Sequence, residues 1–371
     1  MATGIWPPVG RSSSSTAGPS PSSKRAPRSK AEFAADAARP AFLRRHAAGV
    51  GTSHQYSAFA RLEARGESAL YEAWALGIAD DEHVLALIDG LPGAKQQPNL
   101  VLSASRHVGA PEAPYAQFRD WLLQHWDDVR GVIAVHSTQT NEARRCTALL
   151  PLLASLPQPL ALLEVGAAAG LCLYPDCWSY QYDGGPVLEP RRRPSAGLLR
   201  CATNGRVPVP RNHIDVAWRA GIDLNPLDVR SLEDASWLRA LVWPEQIERR
   251  AVLDAAMDLA KTDPPLLVAG DLTIALMEVA ELAPADATLV VFHTAALTYV
   301  EQTRRETFVR DVRQVRGHWI ANEAPGVLAS ELGEAPSRDA EKTLFLLSFD
   351  GEPCAYSGPH GQSLEWIRSR G

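Results

Sequence analysis

Nowhere in the 371 residues does an apolar run approach the roughly 18 to 20 needed to cross a bilayer, so no membrane-spanning helix is expected. Cysteine is scarce. Cys146, Cys172, Cys177, Cys201 and Cys354 form an odd set with no C-x-x-C pair, which argues against a zinc framework or a disulfide scaffold. A reducing, cytoplasmic setting and no metal site are the expectation. The chain lacks G-x-S-x-G and H-E-x-x-H, and with them the common serine and zinc hydrolase sites. It also lacks G-x-G-x-x-G and a GK[ST] phosphate loop, which removes the dinucleotide fingerprint and the P-loop. Acids are missing from the first 31 positions, which instead hold Arg11, Lys24, Arg25, Arg28 and Lys30 among many serines. Such a stretch cannot bury enough surface to order itself, and residues 1–31 are expected to be a disordered tail. The rest of the chain sets 32 basic against 43 acidic side chains, which does not advertise a nucleic-acid surface.

What is present is ample apolar material, 46% of residues, enough for one large α/β domain and a smaller one. Residues 32–156 read as a helical domain. Apolar side chains recur at helical spacing in Phe59, Leu62, Leu70, Tyr71 and Trp74, and again in Phe118, Trp121, Leu122, Trp126 and Val129. No β-alternating run interrupts them. A last helix, 141–156, leads into the first strand, and Pro151 should kink it. Its approach is Gln139-Thr140-Asn141-Glu142: Thr140 or Asn141 can cap the helix and Glu142 suits its positive end, or the cluster lines a pocket.

Residues 157–371 read as an open α/β sheet. Leu160 to Leu171, LALLEVGAAAGL, is a buried strand, a carboxylate at its end and two glycines four apart, expected to continue directly into a helix. Such a loop offers close backbone approach and unpaired N–H groups to an anionic or polar ligand. Glu164, Gly166, Ala168 and Gly170 form the candidate cradle, with Ala168 where a middle glycine is usual. An insertion over 172–215, rich in arginine from Arg191 onward, is long enough to build a substrate site, or its arginines face solvent. Further strands end in Asp223, Asp271 and His293, and another in Asn322-Glu323. An acid ending the second strand of such a sheet bonds ribose hydroxyls. Asp271 can cap the helix that follows it, and His293 either meets a substrate or is structural. Asp350-Gly351 marks a hairpin over 343–357. Together these predict a seven-stranded mixed sheet with the hairpin at or near one edge.

The first of these motifs, apolar strand, acid, x, Gly, resembles that of class I S-adenosylmethionine-dependent methyltransferases, and Gly-Ile-Asp-Leu-Asn-Pro at 221–226 looks like their second. QTNE at 139–142, LLEVGAAAGL at 162–171, Tyr180-x-Tyr182, GIDLNPLDV at 221–229, LRALVWPEQ at 238–246 and the late PHG are similar to a bacterial family of uncharacterised proteins, domain of unknown function 2332. One departure is Cys172, where that family usually has Asn. The resemblance covers about residues 40–371 and implies a Rossmann-like, methyltransferase-type mixed sheet with a C-terminal antiparallel hairpin, preceded by a helical domain. It implies S-adenosylmethionine held by Glu164, Gly166, Ala168, Gly170, Asp223 and Asp271, the last against the adenine amino group. His293, or Gln139 and Glu142, would then orient or deprotonate a small-molecule acceptor. The alternative is a ligand-binding or regulatory protein without turnover, towards which Ala168 leans.

Overall fold

The computed structural model describes residues 51–139, 141–333 and 344–367; the expected tail 1–31 and Thr140 lie outside the described residues. Among the described residues seven α-helices precede the first strand: α1 (Thr52–Phe59), α2 (Ala69–Ala79), α3 (Glu82–Asp89), α4 (Pro98–Val108), α5 (Tyr115–Gln124), α6 (Trp126–Val135) and α7 (Cys146–Leu153). Their limits follow from local chemistry. Ser68 accepts the Tyr71 N–H at the start of α2, Asp81 accepts those of His83 and Val84 at the start of α3, and Pro98 opens α4, which stops at Gly109 with φ +111°. Trp74 of α2 stacks on Phe118 of α5 at 3.9 Å between centroids. These helices bury Tyr56, Trp74 and Leu122 in the same continuous core as Leu160 and Leu162 of the first strand.

Ten strands form one mixed sheet. They are β1 (Leu160–Val165), β2 (Ser179–Tyr182), β3 (Leu198–Asn204), β4 (Val216–Asp223), β5 (Leu266–Ala269), β6 (Thr288–Thr294), β7 (His318–Glu323), β8 (Phe345–Phe349), β9 (Glu352–Ser357) and β10 (Ser363–Trp366). Their order is β2-β3-β10-β9-β8-β7-β6-β1-β4-β5. All six residues of β1 are buried, as expected of a strand flanked on both sides, and it pairs in parallel with β4 and β6. The parallel set β5-β4-β1-β6-β7 reverses its chain order between β1 and β6, and crevices at such switch points hold ligands in open α/β sheets.

Two expectations are corrected. The sheet has ten strands instead of seven, and the β8–β9 hairpin, turning at Asp350-Gly351, is interior because β10, β3 and β2 lie beyond it. The insertion 172–215 supplies two of the three extra strands, and β10 near the C-terminus is the third. The insertion donates β2 and β3, in which Leu199 and Cys201 point inward and Arg200 outward. The second correction concerns the segment after β1. Among the described residues no α-helix follows it, only single 3-10 turns at Leu171–Leu173 and Pro175–Cys177, so the cradle has no helix N-terminus behind it.

The two faces of the sheet are covered unequally. Leu160 and Leu162 face α1–α7 together with α8 (Leu232–Leu241) and α9 (Ile247–Thr262). Ala161, Leu163 and Val165 face α10 (Leu272–Glu281) and α11 (Gln302–Val312). The alternation of a strand therefore decides which side of the molecule each rim residue serves.

Candidate functional site

The carboxyl ends of β4, β1 and β6 make a rim, and Gln139, Asn141 and Arg145 reach across it. Asp223 closes β4, and both its oxygens are taken from within. Oδ1 accepts from Gln139 Nε2 at 3.1 Å and the Asn225 N–H at 2.8 Å, while Oδ2 accepts the Ala168 N–H at 2.8 Å. Gln139 Nε2 also donates to the Asn225 carbonyl at 2.8 Å. Asn141 Oδ1 accepts the Leu171 N–H at 2.6 Å, taking the first donor beyond Gly170. It caps no helix: the 3-10 turn Ala143–Arg145 and α7 both start without a side-chain cap. Arg145 is buried and reaches β6, donating to Thr294 O at 3.0 Å and, through Nε, to Pro359 O at 2.9 Å.

The cradle loop itself is tight. Gly166, Ala168 and Gly170 have φ of +72°, +48° and +70°, so the residue in the middle position adopts the left-handed backbone that glycine favours although it carries a Cβ. A Cβ on Gly166 would lie 2.4 Å from the Cβ of Ala296, and one on Gly170 would press on Pro265, Leu173 and Leu267. Protein atoms thus occupy the space these glycines open.

Glu164 is buried at the end of β1 with Oε2 lacking any hydrogen-bond partner. Burial first, then the Cys172 sulfur, raise its pKa well above the carboxylate range, against the pull of Arg145. Burial thus favours the protonated form of this side chain. Glu142 pairs with Arg249 at 2.7 Å, and its Oε2 lies 3.7 Å from His360 Nδ1, itself buried and unbonded. Burial and the cations Arg249, Arg145 and Arg144 push the His360 pKa well below its usual value, leaving a neutral imidazole. Gln139, Asn141, Glu142, Leu238, Leu241 and Arg249 line a cleft of about 20 Å³, room for about one water.

Two predicted residues are not part of this constellation. His293 pairs in register beside Phe292, which faces Glu164, so its ring projects from the opposite face of the sheet. It is fully buried: Trp319 Nε1 donates to Nε2 at 3.0 Å, and Nδ1 meets Glu323 Oε1 at 2.7 Å. With Nε2 accepting, Nδ1 carries the proton and donates it to Glu323. That carboxylate oxygen also accepts the N–H groups of Ala296 and Leu297, fixing the loop that fills the space beside Gly166. Asp271 caps α10 through the Thr273 N–H at 2.9 Å and pairs with Arg304, so its carboxylate is spent on helix and ion pair. The residues that motif reading passed over are Arg145, Arg249 and Glu323. Glu323 ended a predicted strand, but only the fold shows which loop it holds.

No metal-binding group of three or more His, Cys, Asp or Glu occurs among the described residues. A family profile described as uncharacterized protein conserved in bacteria (DUF2332) matches residues 53–366, most of the chain. The chain belongs to that family. No curated protein and no solved structure matches it.

In this DUF2332 protein the rim residues do not fit S-adenosylmethionine in the conformation described. Both oxygens of Asp223 are engaged, the glycine spaces are filled by Ala296, Pro265 and Leu267, and the cleft is far below the several hundred Å³ of small-molecule sites. The donors themselves have suitable chemistry: a carboxylate at a strand end, a backbone N–H loop and a buried acid. Gln139 on Asp223 is one obstruction, and the side chains beside the two glycines are the other.

Proposed function

We propose that this DUF2332 protein is a Rossmann-like binder of a hydroxyl-bearing, nucleoside-type small molecule at the carboxyl rim of β1 and β4, and that Gln139 and residues 141–145 are its closed lid. The observation that carries the reading is Asp223, whose Oδ1 accepts an amide from Gln139 where a ligand hydroxyl would sit. A flexible side chain on a segment outside the sheet is easier to displace than a backbone group. The parallel order β5-β4-β1-β6-β7 followed by an antiparallel hairpin supports a methyltransferase-type sheet, and S-adenosylmethionine is the first ligand to test. The three strands beyond the hairpin and the missing helix after β1 are departures from that type.

Binding without turnover is favoured over methyl transfer by the left-handed Ala168 and by the burial of His293 away from the rim. Calorimetric titration with S-adenosylmethionine and S-adenosylhomocysteine tests the reading. Asp223→Ala should weaken binding about ten- to a hundredfold, the equivalent of charge-assisted hydrogen bonds of about 1.5 to 3 kcal/mol. Unchanged affinity in that variant rejects the role of Asp223.

A further inference from the structure

A second concavity lies on the other side of α8 and α9 from the rim cleft. Leu238 and Leu241 of α8 and Arg249 of α9 face the rim, whereas Arg239, Ala240 and Arg250 face the second pocket. Arg106, His107 and Glu112, from α4 and the loop after it, complete its wall, and the pocket is open to solvent with a volume of about 250 Å³.

Three guanidinium groups and an imidazole line this pocket, and Glu112 is the one carboxylate among the lining residues. Arg239 Nε is taken by Asp254 at 2.7 Å. Arg106 donates to the carbonyls of Ala240 at 3.1 Å and Val242 at 2.6 Å, with Glu112 standing 3.5 Å away on a largely exposed side chain and Glu245 as a second nearby carboxylate. Among the described residues Arg250 has no ion-pair partner: Nη2 donates to the Arg239 carbonyl at 3.1 Å, and Nε is buried without any hydrogen-bond partner. His107 Nδ1 is 3.4 Å from Ser236 Oγ. Burial, then the neighbouring cations Arg106 and Arg239, lower the pKa of Arg250, in part offset by Asp254. Like charges held together around an open space are a cost unless something of opposite sign enters it. Planar guanidinium forks match the oxygens of a phosphate, and an orphaned N–H on Arg250 is a donor awaiting an acceptor.

We propose that Arg106, His107, Arg239 and Arg250 form a binding site for a phosphate group carried by a small molecule, separate from the rim. The volume suits a compact phosphate ester. A polynucleotide would need a basic track, which the acidic excess outside residues 1–31 does not provide. The inference does not rest on the lid reading, since none of these side chains lines the rim cleft.

The test uses the full chain and inorganic phosphate, titrated by calorimetry at constant ionic strength made up with chloride, so that general screening is held fixed. The expectation is saturable binding, weakened tenfold or more in Arg250→Gln, with Gln139→Ala binding phosphate as wild type does. Arg239→Gln provides a second reading if Arg250→Gln does not fold, and it too should weaken binding severalfold. Phosphate binding of equal strength in the arginine variants, loss of it in Gln139→Ala, or no saturable binding to the wild type overturns the assignment.

Discussion

Ala168 provides a quantitative test of how the cradle loop is held. At φ +48° the left-handed backbone of an L-residue costs about 1 to 2 kcal/mol, which Ala168→Gly would release. Against that, the glycine variant loses about 0.4 to 1 kcal/mol through a more flexible unfolded chain. A further loss of about 0.8 kcal/mol comes from removing a methyl that is almost wholly buried. The two sides nearly cancel, so Ala168→Gly should lie within about 1 kcal/mol of wild type. Ala169 is equally buried but does not have positive φ, so Ala169→Gly takes both losses with no release, about 1.2 to 1.8 kcal/mol. The difference between the variants, about 1 to 2 kcal/mol, is the backbone strain at 168, freed of terms common to both. Urea unfolding with a shared m-value reads it as a separation of midpoints. If Ala168→Gly is as destabilised as Ala169→Gly, position 168 is not strained and the tight cradle is wrong.

Asn141→Ala should cost about 1 to 3 kcal/mol in the same assay, because it leaves the buried Leu171 N–H without an acceptor; a loss below about 0.5 kcal/mol would remove Asn141 from the loop. Glu164→Gln should change the pH profile of stability. The folded pKa of Glu164 lies above its ordinary value of 4.5, so the wild type loses stability as pH rises from there towards the folded value, while the unfolded chain ionises. The variant should therefore gain on wild type as pH rises above 4.5, and a pH-independent difference would contradict the raised pKa. His293→Ala should cost about 3 to 5 kcal/mol through a cavity and an orphaned indole N–H on Trp319, with rim-ligand affinity unaltered. A stable His293 variant with weakened ligand binding would return the histidine to the site.

The central strands of the parallel set were legible because burial on both faces writes them as apolar runs, as in Leu160–Leu163 and Leu289–Phe292. β2 and β3 were not. Ser179-Tyr-Gln-Tyr is short and half polar, Arg200 breaks the run of β3, and one partner of β3 is β10, more than 150 positions away. The alanines at 167–169 read as helix formers, yet the left-handed turn at 168 and 170 and the prolyl turn at Pro175 leave room only for 3-10 turns.

Within the site, acids at strand ends could be named from sequence, but their occupation could not. Nothing in the order of residues says that Gln139 spends its amide on Asp223, 84 positions on. Nor does a strand's sequence say which face its last side chain takes until register is known. The pairing of Glu164 with Phe292 moved His293 to the far side. The polar run at 139–142 held more information than a helix cap needed, and Gln139 and Asn141 reach the rim instead.

The most direct measurement of the closed rim is a calorimetric titration of S-adenosylmethionine into wild type and Gln139→Ala side by side. Freeing Asp223 of a hydrogen bond worth about 1.5 kcal/mol should tighten binding roughly tenfold in the variant. Equal affinity in both proteins, or no binding heat from either, would contradict a ligand site held shut by Gln139.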